Sequence, residues 1–179
     1  MSRTLRAITA AVALLLCMAV AVPVDATTEA TAPSARAEQH CVILLDRLHP
    51  GEETSRVLKK TCADRPDAPA LRAASGLGTL LIIVYQDIRY GGASTAIEGR
   101  YGPCDQEGYG IRDLGSWRNR LSSFKAFNWC NFVAAWDNIN YGGAYLGDWH
   151  SAASDSRLNV DWVGSNANDR IESMQLVRQ

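Results

Sequence analysis

The segment VYQDIRYGGAS at residues 84–94 returns as AWDNINYGGAY at residues 135–145, an offset of 51. Further along, GSWRNRLSSF at 115–124 returns as GSNANDRIESM at 164–174, with one residue added in the second copy. The same parts therefore occur twice in the same order, in units of about fifty residues, and a repeat of that size constrains the fold before any other feature. Two units are too few for an open solenoid, which needs at least three to bury its faces. Each unit opens on an apolar strand, LLIIVY at 80–85 and NFVAAW at 131–136, then a glycine-bearing turn, then short alternating stretches such as STAIEG. No 3.6-residue period runs through either unit. Short strands broken by turn residues predict an all-β sandwich of two packed sheets.

The first turn of each unit carries a fixed pattern. It reads Tyr85-x4-Tyr90-x-Gly92 in the first copy and Trp136-x4-Tyr141-x-Gly143 in the second. The two rings of each pair can pack across a folded hairpin, and the glycine supplies the positive φ that other residues resist.

These repeated residues resemble the βγ-crystallin Greek-key motif. The resemblance covers about residues 79–177, with motif one at 79–126 and motif two at 127–177, inside a domain running to residue 179. It implies two Greek-key motifs forming one βγ-crystallin-like sandwich, of the secreted bacterial type to which small metalloproteinase inhibitors of the same fold are related. It also extends to Arg118-Asn119-Arg120-Leu121-Ser122-Ser123 and Asn168-Asp169-Arg170-Ile171-Glu172-Ser173. In family members these stretches carry two Asn/Asp, two variable residues, Ser/Thr and Ser, and bind calcium. The loop of one unit and the Ser/Thr position of the other line each site. The resemblance thus implies calcium ligands at Asn119, Ser122, Asn168, Asp169 and Glu172. Calcium takes hard oxygen donors of these kinds. Arg118 stands where the family has Asn/Asp, and its charge is expected to oppose a cation. Glu172 stands where the family has Ser/Thr and can still ligate. Few anionic donors imply weak binding, about 10⁻⁴–10⁻³ M. Asn, Asp and Ser are also ordinary turn formers, and Ser123 and Ser173 are expected as buried hydrogen-bonding residues.

The chain begins with Arg3 and Arg6, an apolar run at 7–22, and small residues Val24 and Ala26. This reads as a signal peptide over 1–26; the run is shorter than the roughly 20 residues of a membrane span. Removing it takes away Arg3, Arg6 and Asp25 and leaves 16 basic against 18 acidic residues, a net charge of −2. That balance gives neither the basic face nucleic acid requires nor a polybasic patch for a membrane. Residues 27–39 are small and polar and read as a disordered leader.

Cys41, Cys62, Cys104 and Cys130 remain after processing. An even count in an exported chain suggests two disulfides, with three pairings open. Cys41–Cys62 and Cys104–Cys130 are favoured, because each pair brackets a compact unit. Residues 40–62 then form a stapled hairpin turning at Pro50 and Gly51, which docks on the rest, either to cover a sheet edge or to serve as a separate recognition clip. Residues 63–78, rich in Pro, Ala and Gly, read as a linker with room for a short helix across 68–74.

No HExxH, GxSxG or phosphate-binding loop occurs, and His40, His49 and His150 stand apart in sequence. Asp148, Asp155 and Asp161 read as solvated loop acids. An enzyme is therefore not expected. The expectation is a secreted monomer with a structural or stress-protective role and weak calcium binding. The alternative is an inhibitor of an extracellular protease, or a toxin-like binding protein, presenting the loop YGPCDQEGYG around Cys104. Of the five tryptophans, Trp136 is expected in the core, and Trp149, in a polar loop, is the best candidate for a surface position.

Overall fold

The fold comes from a computed structural model, which describes residues 40–179. The expected signal peptide and leader lie outside the described residues. Ten strands form two sheets: β1 His40–Leu45, β2 Val57–Ala63, β3 Thr79–Tyr85, β4 Ser94–Gly99, β5 Tyr109–Ile111, β6 Ser123–Ala126, β7 Phe132–Trp136, β8 Tyr145–His150, β9 Leu158–Val160 and β10 Ser173–Val177. The first sheet has the order β2-β1-β4-β3-β6-β9 and the second β5-β10-β7-β8. Each fifty-residue unit thus keeps three strands in one sheet and sends its third strand, β5 or β9, to the other. That exchange interlocks the two Greek keys around one core, in which Leu81, Ile82, Val84, Phe124, Val133, Ile171, Met174 and Leu176 are all fully buried.

The N-terminal hairpin is part of the sandwich. β1 pairs in parallel with β4, Cys41 beside Thr95 through Leu45 beside Gly99, and antiparallel with β2. Its apolar side chains Val42, Leu44 and Leu45 are buried. The long turn between β1 and β2 reaches the second sheet as well: the Ser55 amide donates to the Gly110 carbonyl on β5 at 2.8 Å. One hairpin therefore covers edge strands of both sheets, β4 and β5, whose unpaired backbone groups would otherwise be exposed. Cys41 and Cys62 face each other in the hairpin register and are bonded, and Cys104 is bonded to Cys130.

Residues 63–78 are more structured than a free linker. Helix α1, Pro69–Ala74, starts on a proline, whose missing N–H costs nothing there, and buries Leu71 and Ala74 against Val42. Beyond it, the amides of Gly76 and Gly78 donate to the buried Glu98 carboxylate at 2.8 and 3.0 Å.

The placement of Trp136 differs from expectation, and that of Trp149 follows from register. Trp149 lies on β8, half-buried, with its ring edge-on to Phe124 of the facing sheet at 5.5 Å. A register shift beside Trp136 on β7 sets the alternation along β8, so Leu146 and Trp149 turn inward. Trp136 is half-buried on the outer face of its sheet, packed on Tyr141 and Tyr145 at 5.4 and 5.5 Å. The most exposed tryptophan is Trp162, at 52%.

Candidate functional site

Both aromatic hairpins are built alike. Tyr85 meets Tyr90 edge-on at 5.6 Å, and Trp136 meets Tyr141 edge-on at 5.4 Å. The tight turn drives Arg89 and Tyr90 (φ 56° and 63°), and likewise Asn140 and Tyr141 (φ 57° and 56°), into the left-handed region. Such backbone holds only where neighbours fix it. Here the fixing groups are the last serines of the two repeated loops. The Tyr90 amide donates to Ser123 Oγ at 3.0 Å, and that hydroxyl donates to the Asp87 carbonyl at 2.6 Å. The Tyr141 amide donates to Ser173 Oγ at 3.1 Å, which donates to the Asn138 carbonyl at 2.6 Å. Both serines are fully buried. Gly92 follows at φ 71°, where a β-carbon would press on the Asp87 carboxylate at 2.6 Å; Gly143 occupies the matching position at φ 72°.

The same serines anchor the candidate calcium loops. Asn119 and Asp169 are both left-handed, at φ 58° and 54°. The Asn119 amide donates to the Ile171 carbonyl and the Asp169 amide to the Leu121 carbonyl, at 3.1 and 3.2 Å. The loops therefore cross, and each brings its side chain to the fifth position of the other. Ser122 Oγ lies 3.5 Å from Asp169 Oδ1. Asn119 Nδ2 donates to Glu172 Oε1 at 2.7 Å.

The two places differ in chemistry. In the first, Asn168 Nδ2 donates to Asp169 Oδ2 at 2.6 Å, while Asn168 Oδ1 is buried without a hydrogen-bond partner. The Asp169 carboxylate and the Ser122 hydroxyl meet there, with the Asn168 side chain beside them, and these are donor types calcium takes. In the second, Asn119 and Glu172 already satisfy each other. Arg118 is turned aside, its Nε 3.3 Å from the Gly115 carbonyl and 3.4 Å from the Asp113 carboxylate. Its charge is thus directed to Asp113, which softens the opposition expected from sequence. Among the described residues no three His, Cys, Asp or Glu side chains gather into a metal-holding group.

The loop around Cys104 folds back on the body rather than projecting. Cys104 and Tyr109 are buried, the Asp105 carboxylate accepts from the Gly108 amide at 2.8 Å, and the Asp105 carbonyl accepts from the Arg178 amide at 2.8 Å. Tyr101 is its exposed aromatic, at 61%, and Asp105, Gln106 and Glu107 are exposed beside it. Sequence reasoning also missed a polar tie beneath it. Asp46, buried at the end of β1, accepts from Arg56 at 2.6 Å. That hydrogen bond holds its carboxyl below the usual carboxylate range against the opposing effect of burial. Its signal was only an acid ending an apolar strand. No helix among the described residues is long and apolar enough to cross a membrane.

No protein-family model matches the chain, and no curated protein matches it. Solved structures do. A βγ-crystallin domain from Clostridium beijerinckii is 24% identical, with a TM-score of 0.40, the match covering 55% of this chain and 99% of that one. One from Flavobacterium johnsoniae is 19% identical, with a TM-score of 0.39, over 55% of this chain and 96% of that one. A βγ-crystallin from an archaeon is 22% identical, with a TM-score of 0.37, over 56% of this chain and 100% of that one. By its own exchanged third strands, paired aromatic hairpins and bridging serines, the region from 79 to 177 folds as a two-motif Greek-key sandwich, like the βγ-crystallin domains it is similar to.

Proposed function

We propose that this is an exported, non-catalytic Greek-key protein that takes one calcium ion where the two motifs cross, with a structural role at that junction. The observation that carries this reading is the orphaned, buried Asn168 Oδ1 next to Asp169, whose carboxylate meets Ser122 of the other motif at 3.5 Å. A buried polar oxygen without a partner is costly, and a hard cation would relieve that cost while bridging the motifs. Backbone carbonyls and water would complete the roughly six to eight oxygens calcium takes. The second crossing is occupied by its own Asn119–Glu172 bond, which favours one ion over two. Export is supported by the two disulfides, which persist in oxidising compartments.

Thermal unfolding of the disulfide-intact protein tests this reading. Calcium at ten times its dissociation constant contributes about 1.4 kcal/mol, a rise of about 3–6 °C for a domain of this size. Asp169→Ala should abolish the rise. An unchanged melting temperature at millimolar calcium rejects the site.

A second reading is that the loop around Cys104 blocks an extracellular protease. It is favoured by Tyr101, 61% exposed on a disulfide-anchored loop, with the Arg47 guanidinium over its ring at 5.5 Å. Inhibition that is lost in Tyr101→Ala would support it, and no inhibition across metallo- and serine proteases would end it.

A further inference from the structure

We infer that the seam between the N-terminal hairpin and the first motif is a binding site for one ordered internal water, held by Thr95 Oγ1 and Trp117 Nε1. A recess of about 30 Å³ lies where β1, β3 and β4 meet the short turn Gly115–Trp117. Its walls are aliphatic: Ile43 and Leu45 from β1, Val84 from β3, Ile97 from β4, and Ile111 and Leu114 from the segment leading to the turn. Thr95 and Trp117 complete the lining, each only 1% exposed. Each carries a polar atom, Thr95 Oγ1 and Trp117 Nε1, that is buried without a hydrogen-bond partner among the described residues. A buried polar group without a partner is destabilising, and protein interiors satisfy such groups with protein or with ordered water.

The sheet fixes the direction of Thr95. Thr95 and Ile97 are two apart on β4 and share a face, and Val84 is the β3 partner of Thr95. All three line the recess, so Thr95 points into it. One face of the Trp117 ring is covered by the Arg120 guanidinium at 5.4 Å, and the N–H lies in the ring plane, so its partner approaches edge-on. Size and chemistry select the occupant. A water takes roughly 30 Å³ in the liquid and needs at least about 10–15 Å³ of space together with polar partners. The recess meets both conditions, and an organic ligand is larger. The indole N–H only donates, which turns away a cation, and the aliphatic walls leave an anion's charge unpaired. Water accepts from Trp117 and can donate to or accept from Thr95. Val57, 56% exposed, and the exposed Asp113 also line the recess, which gives the water a path of exchange. The Asp113 carboxylate is engaged elsewhere, accepting from the Gly115 amide at 2.6 Å and facing Arg118 Nε at 3.4 Å. Lys60 of β2 reaches the same turn, its Nζ 3.4 Å from Ser116 Oγ. The hairpin is thereby fastened to motif one through a wet seam, by a water inside and a side-chain contact at the surface.

The test is a crystal structure of the disulfide-intact protein at a resolution that shows ordered water, together with the same structure of Thr95→Val, which keeps the side-chain shape and drops the hydroxyl. One density peak is expected within about 2.7–3.2 Å of both Thr95 Oγ1 and Trp117 Nε1. In solution, the Trp117 indole proton should show a nuclear Overhauser effect to water. Both signals should be lost in Thr95→Val, with a lower melting temperature; cooperative melting controls for folding, and if that variant does not fold, the map of the unsubstituted protein decides alone. The proposal is overturned by a recess without density, by a direct Thr95–Trp117 hydrogen bond, or by a peak that persists unchanged in Thr95→Val. It is equally overturned if xenon enters the recess of the unsubstituted protein under pressure, since that marks a dry apolar cavity.

Discussion

Asn119 and Glu172 hold each other across the two halves of the sandwich, amide nitrogen to carboxylate oxygen at 2.7 Å. The matching pair, Ser122 and Asp169, stands at 3.5 Å with the acidic partner on the loop instead of at the fifth position. The two crossings share one backbone plan and differ in side chains: one closes in the Asn119–Glu172 bond, while the other leaves Asn168 Oδ1 without a partner. A double-mutant cycle on Asn119→Ala and Glu172→Ala should return a coupling of about 1 kcal/mol. Zero coupling in urea unfolding would mean that the closed crossing contributes nothing.

Ser123 and Ser173 each satisfy a left-handed hairpin amide from within the core. Replacing either with alanine removes the partner of a hairpin amide and of a carbonyl at part-buried bonds, at a cost of about 1–3 kcal/mol. Chemical denaturation should find the two losses similar, because the two networks match to within 0.1 Å at both bonds. A loss confined to one serine would break the equivalence of the motifs.

The Cys41–Cys62 bond closes a separation of 21 residues. Its replacement by two serines should cost about 3 kcal/mol through the unfolded chain. Because the same hairpin covers β4 and β5, loss of its docking also bares two sheet edges. Light scattering on warming should therefore rise earlier in the serine variant than in a Cys104→Ser/Cys130→Ser variant of comparable stability. Equal aggregation would count against the capping role.

Asp46 links stability to pH. Its folded pKa lies below the ordinary value, chiefly through its hydrogen bond to Arg56. The stabilisation is thus complete above about pH 4, the unfolded value, and is lost as pH falls through the lower folded value. Asp46→Asn should flatten the acid limb of the stability curve below about pH 4. An unchanged acid limb would show that the pair is not coupled to folding.

The aromatic hairpins were legible because their determinants are local: two rings and a glycine within eight residues, stated twice. The stapling of residues 40–62 was legible from cysteine spacing. What escaped the sequence was long-range or depended on register. Nothing in HCVILL specifies a parallel partner, so its pairing with β4 follows only from the assembled sheet. Trp149 sits in a polar string, yet a single register shift beside Trp136 turns it inward. Arg118 reads as hostile to a cation until Asp113 is seen beside it.

The central claim is a single calcium ion at the crossing of Ser122, Asn168 and Asp169. Calorimetric titration of the disulfide-intact protein with calcium measures it most directly. The expected result is one ion per chain, with a dissociation constant of about 10⁻⁴–10⁻³ M, abolished by Asp169→Ala and retained in Glu172→Ala. No heat of binding, two equivalent ions, or binding that survives Asp169→Ala would contradict it.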